Sequence, residues 1–258
     1  MAEGRFPSFV INLDGSPERL RQAETMFAGL SREIQRVPAV DGRRFAAADV
    51  PRYDEAATLA YMGRRLLGGE LGCFLSHVRA AEAFLATGKE AGFVFEDDAL
   101  VPDALFPVAE AAVDWLGANG LIGWRLINLG YSPSFAWTAL TMLQHGERRH
   151  ELCQAHYFPM GAFALLWSRR GAEEFLAVAA TIRAPVDNTL RHWLCRAGGG
   201  LGFRPPLGWV RTEGSDIGAV SVRRREGRSA LYGLKKQRRL WSDKLAALAA
   251  QRRAPQAG

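Results

Sequence analysis

The chain has 258 residues, 48% apolar and 23% charged, with a formal net charge of +6. These are the proportions of a soluble globular protein with room for one large α/β domain or two small ones, and no apolar run reaches the roughly eighteen residues that would span a bilayer. Cys73, Cys153 and Cys195 form no CxxC pair, which argues against a disulfide framework or a zinc site and fits a reducing cytosol.

Met1 to Pro7 is short and mixed rather than signal-like, and Phe9 to Leu13 reads as the first strand. Asp14-Gly15-Ser16-Pro17 turns out of it, with Ser16 as cap and Pro17 opening a helix through Leu20, Ala23, Met26, Phe27 and Leu30. Asn12, Asp14 and Arg19 gather where this strand ends and the helix starts. Such a place can grip a nucleotide's base, ribose or phosphate, although turn and cap chemistry accounts for the same residues. Val37 to Gly42 reads as a short extended piece, and Asp41-Gly42 as a turn that could also touch a ribose. Residues 43–68 show no strong period.

Gly68-Gly69-Glu70-Leu71-Gly72 lacks the GK[ST] of a P-loop, and no GxGxxG follows the first strand. A helix is expected from Glu70 to Thr87, with Leu71, Phe74, Leu75, Val78, Ala81 and Leu85 on one face. It contains Ser76 and His77, and a lone helical histidine is more often a packed group than a catalyst. Gly88 ends it. The run Gly92-Phe93-Val94-Phe95 then reads as a strand buried on both faces, ending in Glu96-Asp97-Asp98. Three carboxylates at the C-terminal end of such a strand lie where open α/β sheets bind ligands. They repel one another unless a proton or a cation offsets the charge, and oxygen-only donors suit Mg²⁺ or Mn²⁺. The plain alternative is a solvated acidic turn.

Further along, a helix over Ala104 to Leu116, a strand over Trp124 to Leu129 and a strand within Tyr157 to Trp167 follow. Arg170 to Ala180 and Pro185 to Leu194 read as helices, and Gly198 to Gly202 and Pro205-Pro206 as loops. Asp187, at a helix start, serves equally as a cap or as a general base kept ionised by the helix N-terminus. There is no GxSxG, and Cys73 has no activating neighbour in sequence, so hydrolase chemistry on serine or cysteine has little support. The alternation of elements predicts one α/β domain with a mostly parallel, Rossmann-like sheet flanked by helices.

Taken in order, these segments resemble glycosyltransferase family 25, which includes bacterial lipooligosaccharide galactosyltransferases. The similar segments are Phe9-Val10-Ile11-Asn12-Leu13-Asp14 with Arg19, Val37 to Gly42, Gly69-Glu70-Leu71-Gly72-Cys73-Phe74-Leu75-Ser76-His77, Phe95-Glu96-Asp97-Asp98, Gly161 to Ala172, and Pro185-Val186-Asp187. The resemblance covers roughly residues 6–220. It implies a GT-A-like fold, a UDP-sugar donor (UDP-galactose above all), a divalent metal on the diphosphate and inversion at the anomeric carbon. On that basis Glu96 and Asp98 hold the metal. Asn12, Asp14, Arg19, Asp41, Ser76, His77 and Asp97 face the donor, with Asp97 on the ribose, and Asp187 is the catalytic base. Two departures stand out. Leu165 occupies a place where the family often has tyrosine, and no clear C-terminal histidine completes the metal site, His156 and His192 being the candidates.

The charge is uneven. From Val222 onward eleven Lys/Arg face only Glu226 and Asp243, so the tail carries +9, and the body, with 22 basic and 25 acidic residues, carries −3. Residues 221–258 are therefore expected to form a basic amphipathic tail after a 6–220 catalytic domain. Leu231, Leu234, Trp241, Leu245 and Leu248 make its apolar stripe, which suits an anionic membrane surface. Packing on the body is the alternative, and nucleic acid is not an expected partner. The whole reads as an inverting, metal-dependent transferase at the inner face of the cytoplasmic membrane, adding a hexose to a lipid-linked glycan such as lipopolysaccharide. Residues 43–68 and 131–155 are expected to supply acceptor loops. A metal-dependent phosphohydrolase of nucleotide-diphosphate sugars and a non-catalytic module that binds UDP or glycan are the alternatives.

Overall fold

A computed structural model describes residues 4–43, 46–211 and 228–254. Its centre is an eight-stranded sheet. β1 (Ser8–Asn12), β2 (Gln35–Pro38) and β3 (Ala91–Glu96) are joined by β5 (Leu126–Asn128), β6 (Trp137–His145), β7 (Arg148–Ala155), β8 (Ala164–Ser168) and β9 (Gly200–Arg204). The spatial order is β2-β1-β3-β8-β5-β9-β7-β6. Six strands point the same way, and β8 and β7 are inserted antiparallel to their neighbours. A small ribbon pairs β4 (Ala99–Leu100) with β10 (Trp209–Val210).

Strand alternation sorts side chains into two cores. Val10, Phe93, Phe95, Ala164 and Leu166 face α1 (Pro17–Gly29) and α4 (Leu105–Ala118). Phe9, Ile11, Val94, Leu165 and Trp167 face α3 (Gly68–Ala86), α5 (Arg169–Val178) and α6 (Val186–Ala197). The expected Phe93-Val94-Phe95 strand is thus buried on both faces. Ser16 does precede α1, but its side chain makes no capping bond.

Three segments expected to be irregular are ordered. Within 43–68 lies α2 (Glu55–Tyr61), whose Asp54 side chain accepts from the Ala57 amide at 2.8 Å. Residues 137–155 form the long β6–β7 hairpin around Gly146, which has a φ of 58°. Its mixed burial hides the two-residue period that a half-buried strand shows in sequence. Gly198 to Gly202 is not all loop, since β9 begins at Gly200. Its glycines leave room for neighbours: a Cβ on Gly200 would lie 2.7 Å from the Phe158 ring, and one on Gly202 3.0 Å from Pro133.

The start of α3 is pressed against the chain that leaves β2. A Cβ on Gly42 or on Gly68 would run into the other's carbonyl oxygen. One on Gly72 would lie 2.7 Å from the Gly42 nitrogen and nearer still to the Val40 oxygen. Ser76 Oγ completes the clamp, accepting from the Val40 amide at 2.8 Å and donating to the Gly72 carbonyl at 2.7 Å. Glu70 accepts from the Leu67 amide at 2.9 Å and grips buried Arg64 with both oxygens, at 2.6 and 2.7 Å. The glycines before α3 therefore permit backbone-on-backbone contact.

The last helix, α7 (Tyr232–Arg253), docks on the body through its polar side. Buried Asp243 accepts from Arg196 at 2.7 Å and lies 2.9 Å from His192 Nδ1, which is itself 3.0 Å from the Tyr61 hydroxyl. Burial alone would raise the Asp243 carboxyl. The bonds from His192 and Arg196 outweigh it and hold the group below the ordinary carboxylate range. Lys235 donates to the Leu59 carbonyl at 2.8 Å and Gln251 to the Trp137 carbonyl at 2.7 Å. The tail helix thus packs on the body. The expected boundary at 220/221 and the cations Arg223, Arg224 and Arg225 lie outside the described residues.

Gly72→Ala should lower the unfolding free energy by about 1–3 kcal/mol through overpacking against Val40 and Gly42. Gly69→Ala, whose Cβ meets nothing within 4 Å, should be neutral or slightly stabilising. Thermal and urea unfolding of the two variants measure the contrast.

Candidate active site

The C-terminal ends of β1, β2 and β3 lie side by side because the three strands are parallel neighbours. Glu96, Asp97 and Asp98 leave the end of β3, and each meets different partners. Glu96 Oε1 lies 3.1 Å from His77 Nε2 and 3.8 Å from Cys73 Sγ. A carboxylate oxygen accepts, so His77 carries its proton on Nε2, and its buried Nδ1 has no partner. Cys73 and His77 are four residues apart, one helical turn, and face the strand end together. Their ligand atoms and that of Glu96 all lie within 4.8 Å of one another.

Asp97 turns to the opposite side, toward α1. It accepts from Asn12 Nδ2 at 2.7 Å and pairs with Arg19 at 3.1 Å, and is itself buried. Asn12 also donates to the Ser16 carbonyl at 2.9 Å and accepts from Arg36 Nε at 3.2 Å. Asn12, Arg19 and Asp97, predicted to face a donor, are therefore joined in one network at the ends of β1 and β3. Asp14 is exposed and paired with Arg36. Asp41 is bound by Arg43 at 2.8 Å.

Asp98 stands apart. Its Oδ2 is 3.8 Å from Arg19, and its buried Oδ1 has no hydrogen-bond partner among the described residues. Burial, and then the charge of Glu96, push its carboxyl up to about 6. Asp187 sits in the first turn of α6, where it accepts from the Asn188 backbone at 2.7 Å and side-chain amide at 2.9 Å. The Cys73 thiol is driven well above its ordinary value by burial, then by the charges of Glu96 and Asp187. Asp187 and Glu96 therefore act on one buried sulfur, which places the α6 carboxylate on the α3 side of the strand end. The thiol stays protonated and is no nucleophile.

Not every residue expected at the site is available to a ligand. Ser76 is buried, with its hydroxyl engaged by Val40 and Gly72, so its contribution is to hold α3 rather than to touch a nucleotide. His192 belongs to the α7 dock, and His156 lies 2.9 Å from Thr138 Oγ1, with burial lowering its proton affinity. Neither joins the Cys73–His77–Glu96 group. Leu165 is a core side chain on β8, with no surface to offer an acceptor. Cysteine spacing alone gave no hint of Cys73 as a neighbour of Glu96; the usable signal was the four-residue step to His77.

The family model described as Glycosyltransferase family 25 (LPS biosynthesis protein) matches residues 6–190. A "Glycosyltransferase 25 family member" of Aedes aegypti is 33% identical over 131 residues, covering 47% of this chain and 20% of that protein. One of Drosophila pseudoobscura pseudoobscura is 33% identical over 98 residues, covering 35% of this chain and 15% of that protein. The human "Inactive glycosyltransferase 25 family member 3" is 36% identical over 133 residues, covering 47% and 21% respectively. The matched region is thus at most about a fifth of these relatives' length.

Because the Asp98 carboxyl is raised, its ionised form opposes folding. The cost is absent below the unfolded value of 3.8 and complete above about 6. In chelator-treated protein, Asp98→Asn should therefore melt at or above wild type at pH 7.5, with the difference shrinking toward pH 4.5. A variant equally destabilised at both pH values would contradict this assignment.

Proposed function

As the chain belongs to glycosyltransferase family 25, we propose that it moves a hexose, galactose in our reading, from a UDP-sugar to a hydroxyl of a cell-surface glycan of the lipopolysaccharide class, with inversion. The observation that carries this reading is the Asp98 oxygen, buried without a partner beside Glu96 at the end of β3. In this reading Glu96 and Asp98 would hold a hard divalent ion, Mn²⁺ or Mg²⁺, which would supply compensation for charge on the departing diphosphate, although the cluster of candidate ligand atoms among the described residues, Cys73, His77 and Glu96, does not include Asp98. Cys73 and His77 both lie against Glu96 Oε1 and fix that carboxylate in place. Arg19, shared by Asp97 and Asp98, offsets the repulsion between the two acids and presents a cation at the site.

The transfer needs one base. The acceptor oxygen bonds to the anomeric carbon as the carbon–oxygen bond to UDP breaks, and the acceptor proton passes to a carboxylate on the face opposite the leaving group. Asp187 suits that role. It projects from the first turn of α6, and among the described residues its hydrogen-bond partners are the backbone and side-chain amides of Asn188. The Asn12–Asp97–Arg19 network supports the ribose side of the donor, and Asp41, on the loop clamped to α3, borders it. A lipid-borne acceptor is part of the same proposal.

The printed names of several mammalian relatives call them inactive, which supports a second reading, a module that binds donor or glycan without turnover. One assay separates the readings. With UDP-galactose, Mn²⁺ and a lipooligosaccharide acceptor, the protein should release UDP only when acceptor is present. Asp187→Asn should lower kcat by about 10²–10⁴-fold, the usual worth of a general base, with UDP affinity unchanged. Acceptor-independent release would indicate a phosphohydrolase, and binding without release under any acceptor would indicate the non-catalytic module.

A further inference from the structure

α7 is an amphipathic helix mounted inside out. Its buried positions are Asp243 and Ala247, and its single acid is the one clasped by His192 and Arg196. Four large apolar side chains point the other way: Leu231 at its start, then Leu234, Trp241 and Leu245, are 58, 67, 59 and 61% exposed, while Leu240 and Leu248 are half-buried. They account for four of the ten large hydrophobic side chains exposed among the described residues. At about 100° per residue they fall on one face with Arg238 and Arg252, and that face spans about 20 Å of helix from 231 to 245.

No carboxylate lies on this outward face. Arg238, Arg252 and Arg253 are exposed on or beside it, and among the described residues none of them has an ion pair. Lys244 stands 5.4 Å from the Trp241 ring and 5.4 Å from that of Phe135, at the edge of the stripe. A helix that packs only to complete the core would turn its leucines and tryptophan inward. Here the polar side is anchored by specific bonds and the apolar side is left in water, which costs free energy unless something covers it.

We infer that the outward face of α7 seats the protein on an anionic lipid surface, with Leu234, Trp241 and Leu245 entering the interface and the unpaired cations over the headgroups. Charge complementarity selects this occupant: an acid-free apolar strip flanked by free cations matches a membrane interface rather than a neutral groove. No helix among the described residues is long and apolar enough to cross a membrane, so the contact is peripheral. The inference stands on α7 alone and does not depend on the transferase reading. It has a geometric consequence for that reading, because α6 carries Asp187 at its start and the residues that clasp α7 in its later turns. A lipid-seated α7 would hold Asp187 at a constant height above the surface.

The test is flotation of the full chain with vesicles of phosphatidylcholine alone and of phosphatidylcholine mixed with phosphatidylglycerol. Wild type should float with the anionic vesicles and not the neutral ones, and release as salt screens the headgroups. The combined variant Leu234→Ser/Trp241→Ser/Leu245→Ser alters exposed side chains only and should keep the wild-type melting temperature while partitioning at least about tenfold more weakly. Arg238→Gln/Arg252→Gln should weaken binding to the anionic vesicles as well. Ile122→Ser, at an exposed apolar residue elsewhere, should change nothing. Failure of wild type to float, or equal flotation of the triple variant, would overturn the inference. So would a dimer in vesicle-free solution that the triple variant abolishes, or retention by nucleic acid in place of vesicles.

Discussion

Mutual repulsion among Glu96, Asp97 and Asp98 is the constraint around which the site is organised. Three consecutive acids at the end of a buried strand cannot all face one solvent-poor space. Glu96 closes β3 while Asp97 and Asp98 lie in the turn beyond it, and each meets different partners. Asp97 is matched by Asn12 and Arg19 on the α1 side, and Glu96 by His77 and Cys73 on the α3 side. Asp98 is left with a distant share of Arg19 and a buried oxygen that no group among the described residues satisfies. The unfinished compensation at Asp98 is what supports the proposal of a site at this strand end.

The surrounding architecture serves to hold those partners still. The backbone contacts at Gly42, Gly68 and Gly72, with the Ser76 bonds, fix α3 against the segment leaving β2, and so fix His77 and Cys73 against Glu96. α6 has a comparable double role. Its first turn brings Asp187 close enough to act on the Cys73 thiol, and its later turns grip α7 through His192 and Arg196. Chemistry at the strand end and the outward face of α7 are linked by one rigid element.

Much of this was legible in the sequence because the signals were local. The two-sided apolar run before Glu96, Pro17 at a helix start and the period of α3 each describe structure within a few residues. What stayed hidden depends on contacts between distant segments. Glycines 68–72 read in sequence only as lacking a P-loop and 198–202 as a loop, yet their cause is the approach of Val40, Phe158 and Pro133, which sequence does not display. The β6–β7 hairpin is half-exposed and lacks a clean alternation. The apolar stripe of α7 was visible, but its orientation was not: an amphipathic pattern is identical whether its greasy side faces core or solvent. The burial of Asp243 and Ala247 decides it.

The central claim is that the end of β3 is a metal-assisted site for a UDP-sugar. Calorimetric titration of UDP and UDP-galactose into wild type and Asp98→Asn, with and without Mn²⁺, tests it most directly, since Asp98→Asn removes a carboxylate whose buried oxygen has no hydrogen-bond partner among the described residues. The account predicts binding that requires Mn²⁺ in wild type and is lost in the folded variant. Equal binding by both proteins, or no binding of UDP under any condition, would contradict it.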